Sequence, residues 1–259
     1  MKKLFTVMAL VAMMIMGGQA MAQTRGALLL GASFPLSDYA DFDDFSEFAL
    51  TNADEDNAGA GIGFNVGLKW YFNVGVKGLG VMLSADGIYN GPNSDLKTAY
   101  RESESHYEGE LLNGSFTYEA TPKFINVPVM LGLNYIYHFN PNLGIYVEAG
   151  AGGNMGFITK MESITKGKLI NAEVTSIATQ NYDMTFAFAY QAGIGFEVAK
   201  NLVIGCSFYD LGKAQVKGEG IVETKRIMGD NSTKTTDKDY NTFGTIHPYM
   251  IMARIGFSF

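Results

Sequence analysis

Gly61-Ile62-Gly63-Phe64-Asn65-Val66-Gly67-Leu68-Lys69-Trp70-Tyr71-Phe72 alternates without a break. Ile62, Phe64, Val66, Leu68, Trp70 and Phe72 share one parity, and Gly61, Gly63, Asn65, Gly67, Lys69 and Tyr71 the other. Successive side chains of a strand point to opposite faces, so this is a strand with one apolar face and one small or polar face. A second run places Ile125, Val127, Val129, Leu131, Leu133, Tyr135 and Tyr137 opposite Asn126, Pro128, Met130, Gly132, Asn134 and the discordant Ile136. Weaker copies of the pattern extend the prediction to strands over 25–34, 59–72, 79–90, 123–138, 144–157, 184–199, 201–211 and 243–259. No segment beyond the N-terminal leader reads as an amphipathic helix.

The connections alternate in length. Those over about 35–58, 91–122, 158–183 and 212–242 are long. Asn73 to Gly78, Phe139 to Leu143 and the Lys200-Asn201 pair are short and turn-like in composition. An even number of antiparallel strands, tight turns at one end and long loops at the other is the plan of an all-β, eight-stranded, up-and-down transmembrane β-barrel of the bacterial outer membrane. Its turns and both termini would face the periplasm, and its four long loops the exterior.

The 259 residues, 47% hydrophobic and 17% charged with 31 Gly and 6 Pro, are globular in composition and suit a single domain. Lys2 and Lys3 precede an apolar stretch from Leu4 to Met16, and Ala20 and Ala22 supply a cleavage site. The expectation is a signal peptide over 1–22 and a barrel over 23–259, because the apolar stretch falls short of the roughly 20 residues that span a bilayer. The mature chain then carries 17 basic and 26 acidic residues, a net charge of −9, which argues against nucleic acid as a partner. Cys206 is the only cysteine, so no internal disulfide forms.

A secreted, lipocalin-like barrel has the same two-faced strands turned inside out, with the apolar face lining a ligand cavity. Strand length and the Gly, Ser and Asn of the polar face favour lipid outside. So do the aromatics: Trp70, Tyr135, Tyr137, Phe196, Phe257 and Phe259 fall near the turns, and Tyr89, Phe124, Phe157, Phe186 and Tyr249 near the loops, as two girdles. Tyr249, Ile251, Ala253, Ile255 and Phe257 lead at one parity to the terminal Phe259. This ending resembles the C-terminal signal by which outer-membrane barrels are handed to the barrel-assembly machinery. Phe124-Ile125-Asn126-Val127-Pro128-Val129-Met130-Leu131 and Tyr146-Val147-Glu148-Ala149-Gly150 resemble successive strands of the PorT-type outer-membrane β-barrel domain, a family of small barrels with OmpA/OmpX-like architecture. The resemblance spans the mature chain and implies an outer-membrane surface protein or an accessory of protein secretion.

Pro128 lacks a ladder donor in mid-strand, which predicts a bulge or a local gap. The inward parity carries Lys69, Asp86, Glu148, Glu197 and Arg254. An eight-stranded interior is filled by side chains, so these charges should pair in the lumen, Arg254 and Lys69 answering the three carboxylates and closing the pore. No catalytic residue is assigned: His106, His138 and His247 are scattered, and no nucleophile motif accompanies them. No metal-site spacing appears, and no cofactor is expected. Asp38, Asp41, Asp43, Asp44, Glu47, Asp54, Glu55 and Asp56 make the first loop acidic, but Ala58 and Asn65 break a calcium-loop register that starts at Asp54. Tyr39, Phe42, Phe45 and Phe48 in the same loop would pack over the barrel mouth or meet a partner. The fourth loop, Lys213 to Asp239, reads as a mobile surface segment. The expected role is structural or surface-interacting, embedded in outer-membrane lipid with an occluded lumen; the alternatives are a narrow channel for small solutes and a secretion accessory.

Overall fold

The computed structural model describes residues 24–41, 58–105, 112–169, 172–199, 201–228 and 230–259. The expected signal peptide, His106 and most of the acidic first loop, including Phe42, Phe45 and Phe48, lie outside the described residues. Among the described residues the chain forms β1 (Thr24–Pro35), β2 (Ala60–Asn73), β3 (Leu79–Pro92), β4 (Leu112–Ala120), β5 (Phe124–Asn140), β6 (Leu143–Ile158) and β7 (Met161–Leu169). It continues with β8 (Ala172–Tyr182), β9 (Thr185–Val198), β10 (Leu202–Asp210), β11 (Ala214–Met228), β12 (Asn231–Ile246) and β13 (Tyr249–Ser258). A helix, α1 (Ser94–Ser105), lies between β3 and β4.

Eight of the strands close into an antiparallel barrel in the order β1-β13-β10-β9-β6-β5-β3-β2. The closing join runs from Ala27 opposite Ser258 to Pro35 opposite Met250. The eight expected segments match these strands within two residues at every end but one. The exception is the last: residues 243–246 belong to β12, and His247-Pro248 separate it from β13.

The apolar parity faces outward. Ile62 is 71% exposed, Leu131 62%, Phe186 70% and Phe188 68%, while Asn65, Lys69, Asp86, Glu148 and Arg254 are buried inside. This excludes the lipocalin-like arrangement. A continuous apolar exterior around a polar core is the surface of a barrel that sits in lipid, and wall strands of 9 to 17 residues are long enough to cross it. Tyr135, Tyr137, Phe257 and Phe259 stand exposed at the turn end of the wall, with Trp70 partly covered beside them. Phe124 departs from the expected loop-side girdle: its parity points inward, and it is buried against Tyr39.

The long connections contain the main departure from the sequence reading. Four of the five remaining strands form two hairpins, and all five build one sheet in the order β12-β11-β8-β7-β4. Each is the near-continuous extension of a barrel strand, and the order copies that of β13-β10-β9-β6-β5 in the wall. Five wall strands therefore run on past the mouth as a free-standing sheet. The fourth loop is the β11–β12 hairpin, paired from Ala214 opposite Ile246 to Met228 opposite Asn231, and not an irregular surface segment. Lys234 and Lys238 pair across it with Glu223 and Glu219 at 2.9 and 3.4 Å. Outside the membrane neither face of this hairpin needs to be apolar, which removes the period-two signal.

On the other side of the mouth β1, β2 and β3 end at the rim. There Asn93 caps α1, its Oδ1 accepting from the Leu96 amide at 2.8 Å while its Nδ2 donates to the Ala40 carbonyl at 2.6 Å. The helix was not anticipated because, among its described side chains, Leu96 alone is buried and gives no stripe.

At Pro128 the β3–β5 ladder pairs Ala85 with Val129 and Ile88 with Asn126 but leaves out the two positions between, at unchanged register. The β5–β6 ladder runs through Pro128 opposite Asn154. The missing donor thus produces a gap on one side only, with no bulge.

Barrel closure leaves little room at the seam: a Cβ on Gly31 would lie 2.0 Å from the Ala253 carbonyl oxygen. Gly31→Val is expected to lower stability by about 1–3 kcal/mol or prevent closure. Urea-dependent refolding into detergent, followed by far-ultraviolet circular dichroism, checks this; a midpoint equal to wild type would show that the seam is looser than described.

Candidate functional site

Five strands spread around the barrel wall bring Lys69 (β2), Asp86 (β3), Glu148 (β6), Ser207 and Tyr209 (β10) and Arg254 (β13) to mid-height in the lumen. Arg254 Nη1 donates to Asp86 Oδ1 at 2.9 Å and to the Tyr209 hydroxyl at 3.2 Å, and Nη2 donates to Ser207 Oγ at 2.7 Å. Arg254 also stands 3.7 Å from Glu148, which is paired directly with Lys69. The Tyr209 hydroxyl donates to the second Asp86 oxygen at 2.8 Å, and Ser207 and Tyr71 hydroxyls approach Glu148 at 3.5 and 3.4 Å.

Two cations and two carboxylates thus make a neutral, hydrogen-bonded layer across the lumen. Charges enclosed this way are tolerable because each has a partner; removing one strands another. Glycine makes the room: a Cβ at Gly67 would lie 2.0 Å from Asp86 Oδ1, and one at Gly193 would lie 2.9 Å from Glu148 Oε1. The small residues of the inner parity are the complement of these side chains.

Of the five charges expected in one network, four meet here and Glu197 does not. Glu197 pairs with Arg25, nearer the turn end, and Arg25 had no place in the sequence-based set. It belongs to the same inward parity of β1 as Ala27 and Leu29, and that parity was the available signal. Tyr209 and Ser207 were likewise missed. The alternation of β10, which sets both inward between exposed Cys206 and Phe208, carries them.

Above the layer, toward the loops, Ile88, Met130, Met250, Met252 and Leu211 are buried in the lumen, interleaved with buried Asn90, Asn126 and Asn154. Tyr39, from the short 3-10 turn Ser37–Tyr39 that follows β1, is fully buried in this cluster. Its ring meets Phe124 edge-on at a centroid distance of 5.7 Å, and its hydroxyl accepts from Asn126 at 3.3 Å. Of the aromatics expected over the mouth, this one is described and packs into it. Burial raises the Tyr39 hydroxyl above its usual range.

The two described histidines do not converge. His138 lies at the turn end of β5, whereas His247 joins β12 to β13, where Nε2 is 2.8 Å from Asp210 Oδ1 and the ring lies 3.9 Å from that of Tyr249. Asp210 ends β10, so the pair ties together the two crossings from barrel to outer sheet. Among the described residues no group of three or more His, Cys, Asp or Glu side chains is arranged to hold a metal.

No family profile matches the chain, and no curated protein sequence does. Several solved structures are similar in architecture. The attachment invasion locus protein Ail of Yersinia pestis is 15% identical, over 92% of this chain and 99% of that one, with a TM-score of 0.36. The outer membrane protein OprG from Pseudomonas aeruginosa is 13% identical over 91% and 95%, TM-score 0.39. A major outer membrane protein from Thermus thermophilus is 9% identical over 92% and 99%, TM-score 0.39. Similarity at this level leaves the barrel assignment resting on the strand ladder and the exposed apolar wall described above.

Arg254→Ala is expected to cost about 3–5 kcal/mol, because it leaves a buried carboxylate without its cation. Adding Asp86→Asn should return part of that loss, since the stranded charge goes with it. Urea midpoints of the single and double variants in detergent test the pairing; additive losses would mean that the two side chains are not coupled.

Proposed function

We propose that this chain is an outer-membrane barrel whose lumen is sealed and whose working surface is the five-stranded sheet held outside the cell. The neutral charge layer carries this reading. Stacked beneath the apolar cluster around Tyr39, it leaves side chains where a conducting barrel of this size would need water. The lipid of the outer membrane meets the apolar wall, and the signal peptide over 1–22 would deliver the chain to the periplasm. Phe259 would mark it for the assembly machinery. The likeness of the Phe124–Leu131 segment to the PorT-type strand supports the same reading. A structural or interaction role follows from what is left to do chemistry: a polar sheet, its two hairpins each crossed by ion pairs, standing clear of the bilayer.

The narrow-channel alternative has one feature in its favour, the wide opening at the turn end, but that opening ends blindly at Tyr71 and Tyr146. In planar bilayers the wild-type protein should stay silent once insertion is confirmed, and Arg254→Ala should show open steps. Reproducible conductance by the wild type would refute closure. Orientation is tested separately in a Cys206→Ala background. Thr233→Cys, near the tip of the β11–β12 hairpin, should react with an impermeant maleimide on intact cells, and Val76→Cys, in the first turn, only after lysis. The reverse pattern would place the sheet in the periplasm.

A further inference from the structure

Turnward of the charge layer the lumen widens into a vestibule of about 570 Å³ that opens at the turn end. That volume lies in the range of sites that enclose small organic molecules. Tyr146 leaves the space clear by lying along the wall, where a Cβ at Gly195 or Gly205 would come within 2.5 or 2.2 Å of its hydroxyl oxygen.

Two features define what fits. The first is charge: Arg25 and Lys77 line the vestibule, and no carboxylate does among the described residues. The nearest acids are already engaged, Glu148 by Lys69 and Tyr71 and Glu197 by Nη1 of Arg25. The second is shape. The Arg25 guanidinium lies over the Tyr71 ring, 5.7 Å from its centroid, which holds a flat cationic edge beside a flat apolar wall.

We propose that the vestibule binds a small aromatic carboxylate: the carboxylate meets Arg25 and Lys77, and the ring lies beside Tyr71 and Tyr146. The site is a blind chamber facing the periplasm and is separate from the outer sheet, so its occupancy is independent of whether the lumen conducts.

The test is a fluorine NMR titration of 3-fluoro-4-hydroxybenzoate against the folded protein in lipid nanodiscs, with empty nanodiscs as the baseline. Saturable binding is expected. Lys77→Glu, on an exposed turn where the fold has nothing to lose, should weaken it at least fivefold. Arg25→Gln with Glu197→Gln, which removes the pair together, should weaken it at least tenfold. Lys234→Gln on the outer sheet should leave it unchanged. Should the double variant fail to fold, Lys77→Glu still decides the matter. Absence of saturable binding by the wild type overturns the proposal. Binding that Lys77→Glu leaves intact, or equal competition by 4-hydroxybenzylamine, overturns it as well, because the cationic rim would then select nothing.

Discussion

A strand surrounded by lipid has no water to satisfy its backbone, so the hydrogen-bonded join of β1 to β13 sets the terms for the whole molecule. Closure with eight strands fixes a narrow interior, and the narrow interior dictates its composition. The wall can carry long side chains inward only where opposing positions are glycine, as at Gly67 beneath Asp86 and Gly193 beside Glu148. Charges can be placed there only in equal numbers and within reach of one another. The result is an interior in three tiers: apolar and amide side chains under the mouth, an ionic layer at mid-height, and an open vestibule at the turn end.

The outer sheet is a consequence of the same wall. Strands that leave a closed barrel already have neighbours in register, so five of them need only continue to make a sheet in the wall's own order. The other three stop at the rim, and the space above them is taken by the chain around Tyr39 and by α1. The two sides of the mouth therefore differ in kind: one carries a tall polar sheet, the other is roofed by apolar packing. Asp210 and His247 stand where β10 and β12 pass between the two environments and tie the crossings together.

How much of this the sequence disclosed follows from where lipid is. In the bilayer the outward face must be apolar, so Ile62 to Phe72 and Ile125 to Tyr137 announce their strands and parities, and with them the inward positions of Lys69, Asp86, Glu148 and Arg254. Above the membrane that requirement lapses. Asn231 to Asp239 is as regular a strand as any, yet has polar residues on both faces and so resembles a loop. The join of β12 to β13 was hidden for the same reason. Partner choice was the other opaque matter. Parity puts Glu197 inside, but only the three-dimensional arrangement across the lumen shows that Arg25 of β1 reaches it past two intervening strands and Arg254 does not. Phe124 shows the converse error: aromatic character suggested a girdle, whereas its even parity in β5 correctly places it within.

Arg254 lies on β13, which follows the other seven wall strands in the chain. Its partners Asp86, Tyr209 and Ser207 come from β3 and β10, strands made earlier. An unfinished barrel consequently holds Asp86 and Glu148 with Lys69 as their only cation at that level, one negative charge in excess, and that interior stays hydrated until the final strand arrives. Sealing of the lumen and completion of the wall are thereby the work of the same strand. A chain truncated before β13 would be both open-edged and wet inside, and so recognisable as incomplete on two counts.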